Sequence, residues 1–282
     1  MKAAFAAFLH LVLYGIKMRN SEIQPLLDVM TKLRDPQSGC PWDLAQSFST
    51  IVPFTLEEAY EVADTIERMA LDELPDELGD LLFQVVFYCQ LGKEQGLFDF
   101  GDVVEKICNK LTSRHPHVFG SLKEASAEQV KQNWETIKAK ERRDKSLYSV
   151  LDNIPLALPA LTRSVKIQKR VARVGFDWDD LGPVVDKIHE EIDEVLHEVR
   201  QAPPIKAKIQ DEMGDLLFAV TNLARHLGIE PEQALRQANA KFERRFRGVE
   251  ALANESGKSM EEHSLIELDG YWDQVKREEV YK

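Results

Sequence analysis

One ordered series of acidic and apolar motifs is written into this chain twice, and that restricts its fold more than any other feature. Glu57-Glu58-Ala59-Tyr60-Glu61 is answered by Glu190-Glu191-Ile192-Asp193-Glu194. Asp76-Glu77-Leu78-Gly79-Asp80, running on into Leu81-Leu82-Phe83, is answered by Asp211-Glu212-Met213-Gly214-Asp215 and Leu216-Leu217-Phe218. Lys110 and Arg114 match Lys241 and Arg245, and Trp134 and Lys138 match Trp272 and Lys276, each pair keeping its own internal step. The order holds while the separations drift by a few residues, which marks a tandem duplication rather than an array of fixed period. Two similar domains are therefore expected from the 282 residues.

The periodicity inside each copy is helical. Leu26, Leu27, Met30 and Leu33 fall on one helical stripe, as do Val184, Val185, Ile188, Ile192 and Val195. Long alternating strand patterns are absent, so the expected class is all-α. A charged run from Lys140 to Lys145, followed by Pro155 and Pro159, marks the boundary. The expected division is an N-terminal extension at 1–17, a first domain at 18–145, a linker at 146–160 and a second domain at 161–282. The opening stretch from Lys2 to Ile16 is apolar but too short to cross a bilayer, and Met18 reads as an alternative start. No membrane association is expected.

Charge narrows the partners. With 48 acids against 36 bases the formal charge is -12, which repels nucleic acid. A phosphate-bearing ligand then needs local bases, or cations held by the acids themselves. Cys40, Cys89 and Cys108 show no CxxC spacing, so neither a disulfide framework nor a zinc site is indicated, and a cytoplasmic setting fits.

On a helix, residues three and four apart share a face, so Glu191 projects with Glu194, and Glu190 lies beside Glu194. Glu212 and Asp215 share a face of the next helix. Two facing antiparallel helices bring four such carboxylates to one point, a common way for bundles to build metal sites. Hard oxygen donors without nearby cysteine favour Mg2+, with Mn2+ as the alternative. A solvated acidic face is the bland reading of EExxE, but the apolar setting of Glu212 and Asp215 expects at least one of these two acids to face the interior, where it needs a cation. Gly214, in mid-helix, is expected to permit a close approach by another backbone or a ligand. His189 and His197 read as solvent-facing.

On these residues the chain resembles the MazG family of nucleoside triphosphate pyrophosphohydrolases, whose signature is EExxE followed by ExxD. Gly39-Cys40-Pro41-Trp42-Asp43, Arg114-His115-Pro116-His117-Val118-Phe119, Val174-Gly175-Phe176-Asp177-Trp178 and Lys241-Phe242-Glu243-Arg244-Arg245-Phe246 read as further family landmarks, and only 1–17 falls outside. The resemblance implies two tandem four-helix-bundle-like domains, a homodimer with helices pairing across it, and Mg2+-dependent hydrolysis of NTPs between the α and β phosphates. Carried onto matching positions, the metal ligands are Glu191, Glu194, Glu212 and Asp215. The nucleotide contacts are Lys208, Lys241, Arg245, Trp272 and Lys276.

In that scheme metal activates a water. Glu190, or whichever acid is not fully coordinated, orients the water or takes its proton, with Glu191 among the catalytic set. Lys208 and the other cations neutralise charge on the departing pyrophosphate.

The first copy carries equivalent acids, Glu58, Glu61, Glu77 and Asp80, as a vestigial metal site. Four residues before the ExxD glutamate stands Lys208 in the second copy but Glu73 in the first, so the second is expected to be catalytic and the first structural or regulatory. A non-catalytic nucleotide sensor and a narrow-substrate relative of the dUTPase or phosphoribosyl-ATP type are the rival readings. No GxxxxGK[ST], GxSxG or HExxH motif supports another chemistry. Spacing does not reveal the base preference.

Overall fold

The computed structural model describes residues 23–120 and 149–280, with 126, 129, 130, 133, 134, 136 and 137 between them. The extension at 1–17, Met18 and Lys138 lie outside the described residues. Among the described residues the protein is helical with no strand, as the periodicity expects. The chain divides into two compact units between residues 137 and 138.

The first unit contains α1 (Gln24–Leu33), α2 (Pro41–Leu44), α3 (Phe48–Glu67), α4 (Leu74–Glu94), α5 (Phe100–Arg114) and α6 (Pro116–Phe119). Reciprocal capping fixes where two of these begin: Ser47 with Thr50 at α3, and Asp99 with Asp102 at α5. The turn after α3 is short, so α4 folds back along it, and α1 packs on α4. Met30, Ile51, Val86, Phe87 and Leu91 form the buried centre, with Leu26, Leu27 and Phe48 against it. Burying each large apolar side chain contributes about 1.5–3 kcal/mol, and this centre fixes α3 against α4. Arg34 adds a two-pronged ion pair to Glu94, Nε to Oε1 at 2.8 Å and Nη2 to Oε2 at 2.6 Å, joining α1 to α4.

The second unit contains α7 (Ala160–Ala172), α8 (Leu181–Val199), α9 (Lys206–His226), α10 (Pro231–Glu255), a 3-10 turn at Met260–Glu262 and α11 (Leu265–Val280). α8 packs along α9, α9 also packs on α7, and α10 pairs with α11. Residues in the stretch read as a linker are tied onto this unit: the Arg170 guanidinium donates to the Val150 carbonyl at 2.9 Å, and Ile154 is buried.

The apolar stripe expected on α8 divides in two. Val184 and Val195 are buried, whereas Val185 and Ile192 are more than a third exposed. At Gly214 a Cβ would meet nothing within 4 Å, so no other element of this unit approaches it closely. The close approach in this unit is at Gly248, where a Cβ would lie 2.8 Å from Val275 Cγ2 on α11.

Candidate active site

α8 and α9 run antiparallel across the short 200–205 connection, and this pairing brings their acids together. Ligand oxygens of Glu191, Glu194 and Glu212 all lie within 4.8 Å of one another. Asp215, one turn further along α9, stands outside that set and lines the adjoining cavity together with Glu191. The interior acid is Glu191, only 4% exposed, while Glu212 is half-buried and Asp215 exposed. Glu212, half-buried and beside Glu191, is the acid of the ExxD motif that turns inward, and the most buried acid is Glu191, which falls on the same side of α8 as Val184 and Val195, facing α9.

Glu191 Oε1 receives an ion pair from Lys187 Nζ at 2.8 Å, and its Oε2 is buried without a hydrogen-bond partner. Lys187 also reaches exposed Glu190 at 3.0 Å. Desolvation raises the Glu194 carboxyl above its ordinary value, a hydrogen bond with Glu191 and the charges of Glu191 and Glu212 add to the rise, and Lys187 opposes it. The site is therefore a knot of carboxylates short of positive charge. Hard oxygens from two helices, one of them buried and unpartnered, fit a divalent cation of the Mg2+ or Mn2+ kind.

A cavity of about 560 Å³ opens beside these acids, with Lys187, Glu191 and Asp215 in its wall. Its far side is set by the loop after α7. Gly175, at φ +84°, reverses the chain, and the Phe176 N–H returns to the Val171 carbonyl at 3.2 Å. Asp180 then caps α8 through the Gly182 N–H at 2.8 Å.

Between these two points Asp177 accepts from Arg225 Nη1 and Nη2 and lies 3.1 Å from His226 Nε2, which fixes the loop to α9. Burial opposes ionisation of Asp177, but hydrogen bonding and charge from Arg225, joined by His226, outweigh it and hold the carboxyl below its usual value.

The sequence profile of the MazG nucleotide pyrophosphohydrolase domain matches residues 46–119 and 183–249, once in each unit and over both acid motifs. A nucleoside triphosphate pyrophosphohydrolase of Escherichia coli K12 is 55% identical over 260 residues, which is 92% of this chain and 99% of that protein. The nucleoside triphosphate pyrophosphohydrolase/pyrophosphatase MazG of Thermotoga maritima is 40% identical over 90% of this chain and 95% of its own length. A nucleoside triphosphate pyrophosphohydrolase of Mycobacterium tuberculosis is 32% identical over 152 residues, 53% of this chain and 46% of that protein. The chain belongs to the MazG family.

Within this MazG chain the residues matched to nucleotide contacts are dispersed. Lys208 lies at Glu198, 3.6 Å from Oε1, and not in the cavity wall. Arg245 of α10 pairs with Glu279 at 2.8 Å and sits 5.9 Å from the Trp272 ring, which in turn packs at 5.2 Å on Phe242. Lys276 pairs with Asp273 at 3.4 Å, and Lys241 is exposed on α10. None of Lys241, Arg245, Trp272 and Lys276 lines the cavity.

His189 and His197 are exposed, as expected. Lys187 is the functional candidate that the spacing analysis missed. Its signal was available, since it stands four residues before Glu191, whereas the equivalent position before Glu58 is Phe54.

The first unit repeats the cluster with a different membership. Glu58, Glu77 and Asp80 come within 4.8 Å, with Glu61 outside the set. Burial, then the charges of Asp80 and Glu61, push the Glu58 carboxyl up to about 7. Glu73, at the position of Lys208, is held by Arg68 at 2.9 Å.

Proposed function

We propose that the second unit of this MazG chain hydrolyses nucleoside triphosphates to the monophosphate and pyrophosphate, with Mg2+ or Mn2+ held by Glu191, Glu194, Glu212 and Asp215. The observation that carries the reading is the convergence of three carboxylates from α8 and α9 within 4.8 Å, one of them Glu191 with a buried, unpartnered oxygen. An uncompensated buried carboxylate costs several kcal/mol, and Lys187 engages only its other oxygen. When bound, the cation supplies charge neutralisation at the phosphates and lowers the pKa of a coordinated water.

The chain's own residues do the rest. Lys187, tethered between Glu190 and Glu191, holds positive charge beside the phosphate position. Exposed Glu190 is placed to orient the attacking water or take its proton. Lys208, Lys241, Arg245, Trp272 and Lys276, which the family resemblance gives to the nucleotide, stand outside the cavity wall, so the lysine placed to meet the phosphates beside the acids is Lys187.

The first unit serves a structural or regulatory role, because Phe54 and Glu73 stand where the second unit has Lys187 and Lys208. Outward apolar stripes support a homodimer: Met213, Leu217 and Val220 lie 41–52% exposed on one face of α9. Sedimentation of the full chain then reads a dimer, and a monomer at micromolar concentration overturns that part. No described helix is long and apolar enough to cross a membrane.

The deciding experiment assays the full chain with the eight canonical NTPs and dNTPs, with and without Mg2+, beside Glu191→Gln. Release of NMP and pyrophosphate that requires Mg2+ and drops at least about 100-fold in the variant is expected. Nucleotide binding without turnover would instead establish a sensor.

A further inference from the structure

The two units treat the same pair of acids differently. In the second, the pair already grips an ammonium group: Lys187 Nζ lies 2.8 Å from Glu191 Oε1 and 3.0 Å from Glu190 Oε1. In the first, the matching acids are Glu58 and Glu57, and the matching position one turn earlier is Phe54. The first unit thus keeps the acids that hold the lysine in the second, and lacks the lysine.

The neighbouring charges deepen the shortage. Those acting most on Glu58 belong to Asp80, Glu61 and Glu57, and those acting most on Glu77 to Glu61, Asp80, Glu73 and Asp76, all of them negative. Arg68 is committed to Asp64 and Glu73.

Gln84 supplies an independent pointer. It stands one turn beyond Asp80 on α4, where the second unit has Ala219, and it is only 6% exposed. Its Nε2 donates to Glu58 Oε1 at 3.4 Å, which sets the amide at the acids, and its Oε1 is buried without a partner. A buried acceptor left without a donor costs about 1–3 kcal/mol, so an occupant carrying N–H groups is favoured here. Phe54 shares the face of α3 that carries Glu58, and Trp42, half-exposed, meets it edge-on at 5.5 Å.

The occupant that these groups describe has positive charge, N–H donors and apolar length. We infer that the Glu58–Glu77–Asp80–Gln84 cluster of the first unit, with Phe54 and Trp42 beside it, binds an aliphatic di- or polyamine, whose terminal ammonium takes the place that Lys187 Nζ holds in the second unit. The three carboxylates have oxygens within 4.8 Å of one another. One ammonium nitrogen making three tetrahedral hydrogen bonds of about 2.8 Å reaches acceptors about 4.6 Å apart, which this set accommodates. The methylenes lie along the two rings as a lysine stem lies on apolar surface. Exposed Glu61, about 4.5 Å further along α3, receives the second ammonium. The assignment stands apart from the hydrolase reading and gives the first unit a ligand of its own.

Calorimetric titration of the full chain with putrescine and with spermidine tests it, without metal and in about 0.15 M salt to screen diffuse attraction to a chain of charge -12. Saturable binding at one site per chain is expected. Glu58→Gln and Phe54→Lys each weaken it by about tenfold or more, the second because an internal ammonium then competes for the acids. Gln84→Ala, which reproduces the second unit at that position, weakens it by about threefold or more, and keeps the test open should Phe54→Lys not fold. Glu191→Gln, in the other unit, leaves it within about twofold. Absence of saturable binding, equal weakening by Glu191→Gln and Glu58→Gln, or indifference to Gln84→Ala and Phe54→Lys in variants of native circular dichroism overturns the assignment. A titration with Mg2+ whose heat is lost in Glu58→Gln, while the amines give none, also overturns it and makes the cluster a metal site.

Discussion

Glu191 and Lys187 form a pair whose two members answer to different demands. The carboxylate is buried against α9, and the lysine, a little over a third exposed, keeps one of its oxygens occupied. Lys187 is also the cation that opposes the raised proton affinity of Glu194. Lys187→Met therefore pushes Glu194 further up, and the acidic limb of the kcat/KM profile moves to higher pH, with turnover at pH 7 down about tenfold or more. A profile displaced the other way, or unmoved, contradicts this.

Glu58 allows a comparable test in the first unit, through stability. Its folded value of about 7 lies above the ordinary 4.5, so between these limits the folded state keeps a proton that the unfolded chain has released. Stability is lost as pH rises through that window, and above pH 7 the penalty stays constant. Thermal unfolding of Glu58→Gln is expected to show a gain over the parent at pH 8 that shrinks to nothing below pH 4.5.

The spacing of EExxE and ExxD was enough to foresee such clusters, because three- and four-residue steps fix a helix face. The identity of the most buried acid was not foreseeable, since that depends on which face of α8 meets α9. Lys187 went unread because a lysine among so many charges carries meaning only beside Phe54, its counterpart in the other copy.

At the scale of elements, the glycines separate what a helix sequence reveals from what it hides. Gly214 attracted attention because it interrupts an apolar helix between two acids, yet the space beside its α-carbon is open. Gly248 attracted none, although α10 and α11 meet there, since tight approach is a property of two helices and leaves no mark on one.

Opposite outcomes follow on substitution. Gly214→Ala raises stability by about 0.5–1 kcal/mol through lost backbone freedom in the unfolded chain. Gly248→Ala forces Val275 aside and lowers stability by about 1–3 kcal/mol. Urea unfolding at pH 7.5 distinguishes them by the direction in which each midpoint moves.

The loop from 173 to 180 shows the same limit. The family landmark Val174-Gly175-Phe176-Asp177-Trp178 stood out in the sequence, but its anchorage to Arg225 and His226 spans about fifty residues of chain, and no local pattern announces it.

At the scale of the whole molecule, duplication supplied two acidic clusters and left them with different surroundings. The second has Lys187 against its buried acid, and the first has Phe54 there, with Glu73 taken up by Arg68. A triphosphate carries several negative charges, so the lysine beside Glu191 favours it in the second unit, and Phe54 offers no such charge at the matching position of the first. The outward apolar stripes, by contrast, are retained in both: Leu78, Leu82 and Val85 on α4 repeat the spacing of Met213, Leu217 and Val220 on α9. The first unit thus keeps the outward apolar face while lacking the lysine beside its acids, which fits the structural role proposed for it. Pairwise removal of acids in the full chain tests this division of labour. Glu58→Gln with Glu77→Gln is expected to leave pyrophosphate release within about twofold of the parent, whereas Glu191→Gln with Glu212→Gln lowers it by about 1000-fold or more, measured on the same nucleotide with saturating Mg2+. Comparable losses from both pairs would mean that the first unit turns over substrate, and that Phe54 in place of Lys187 is no obstacle to a triphosphate.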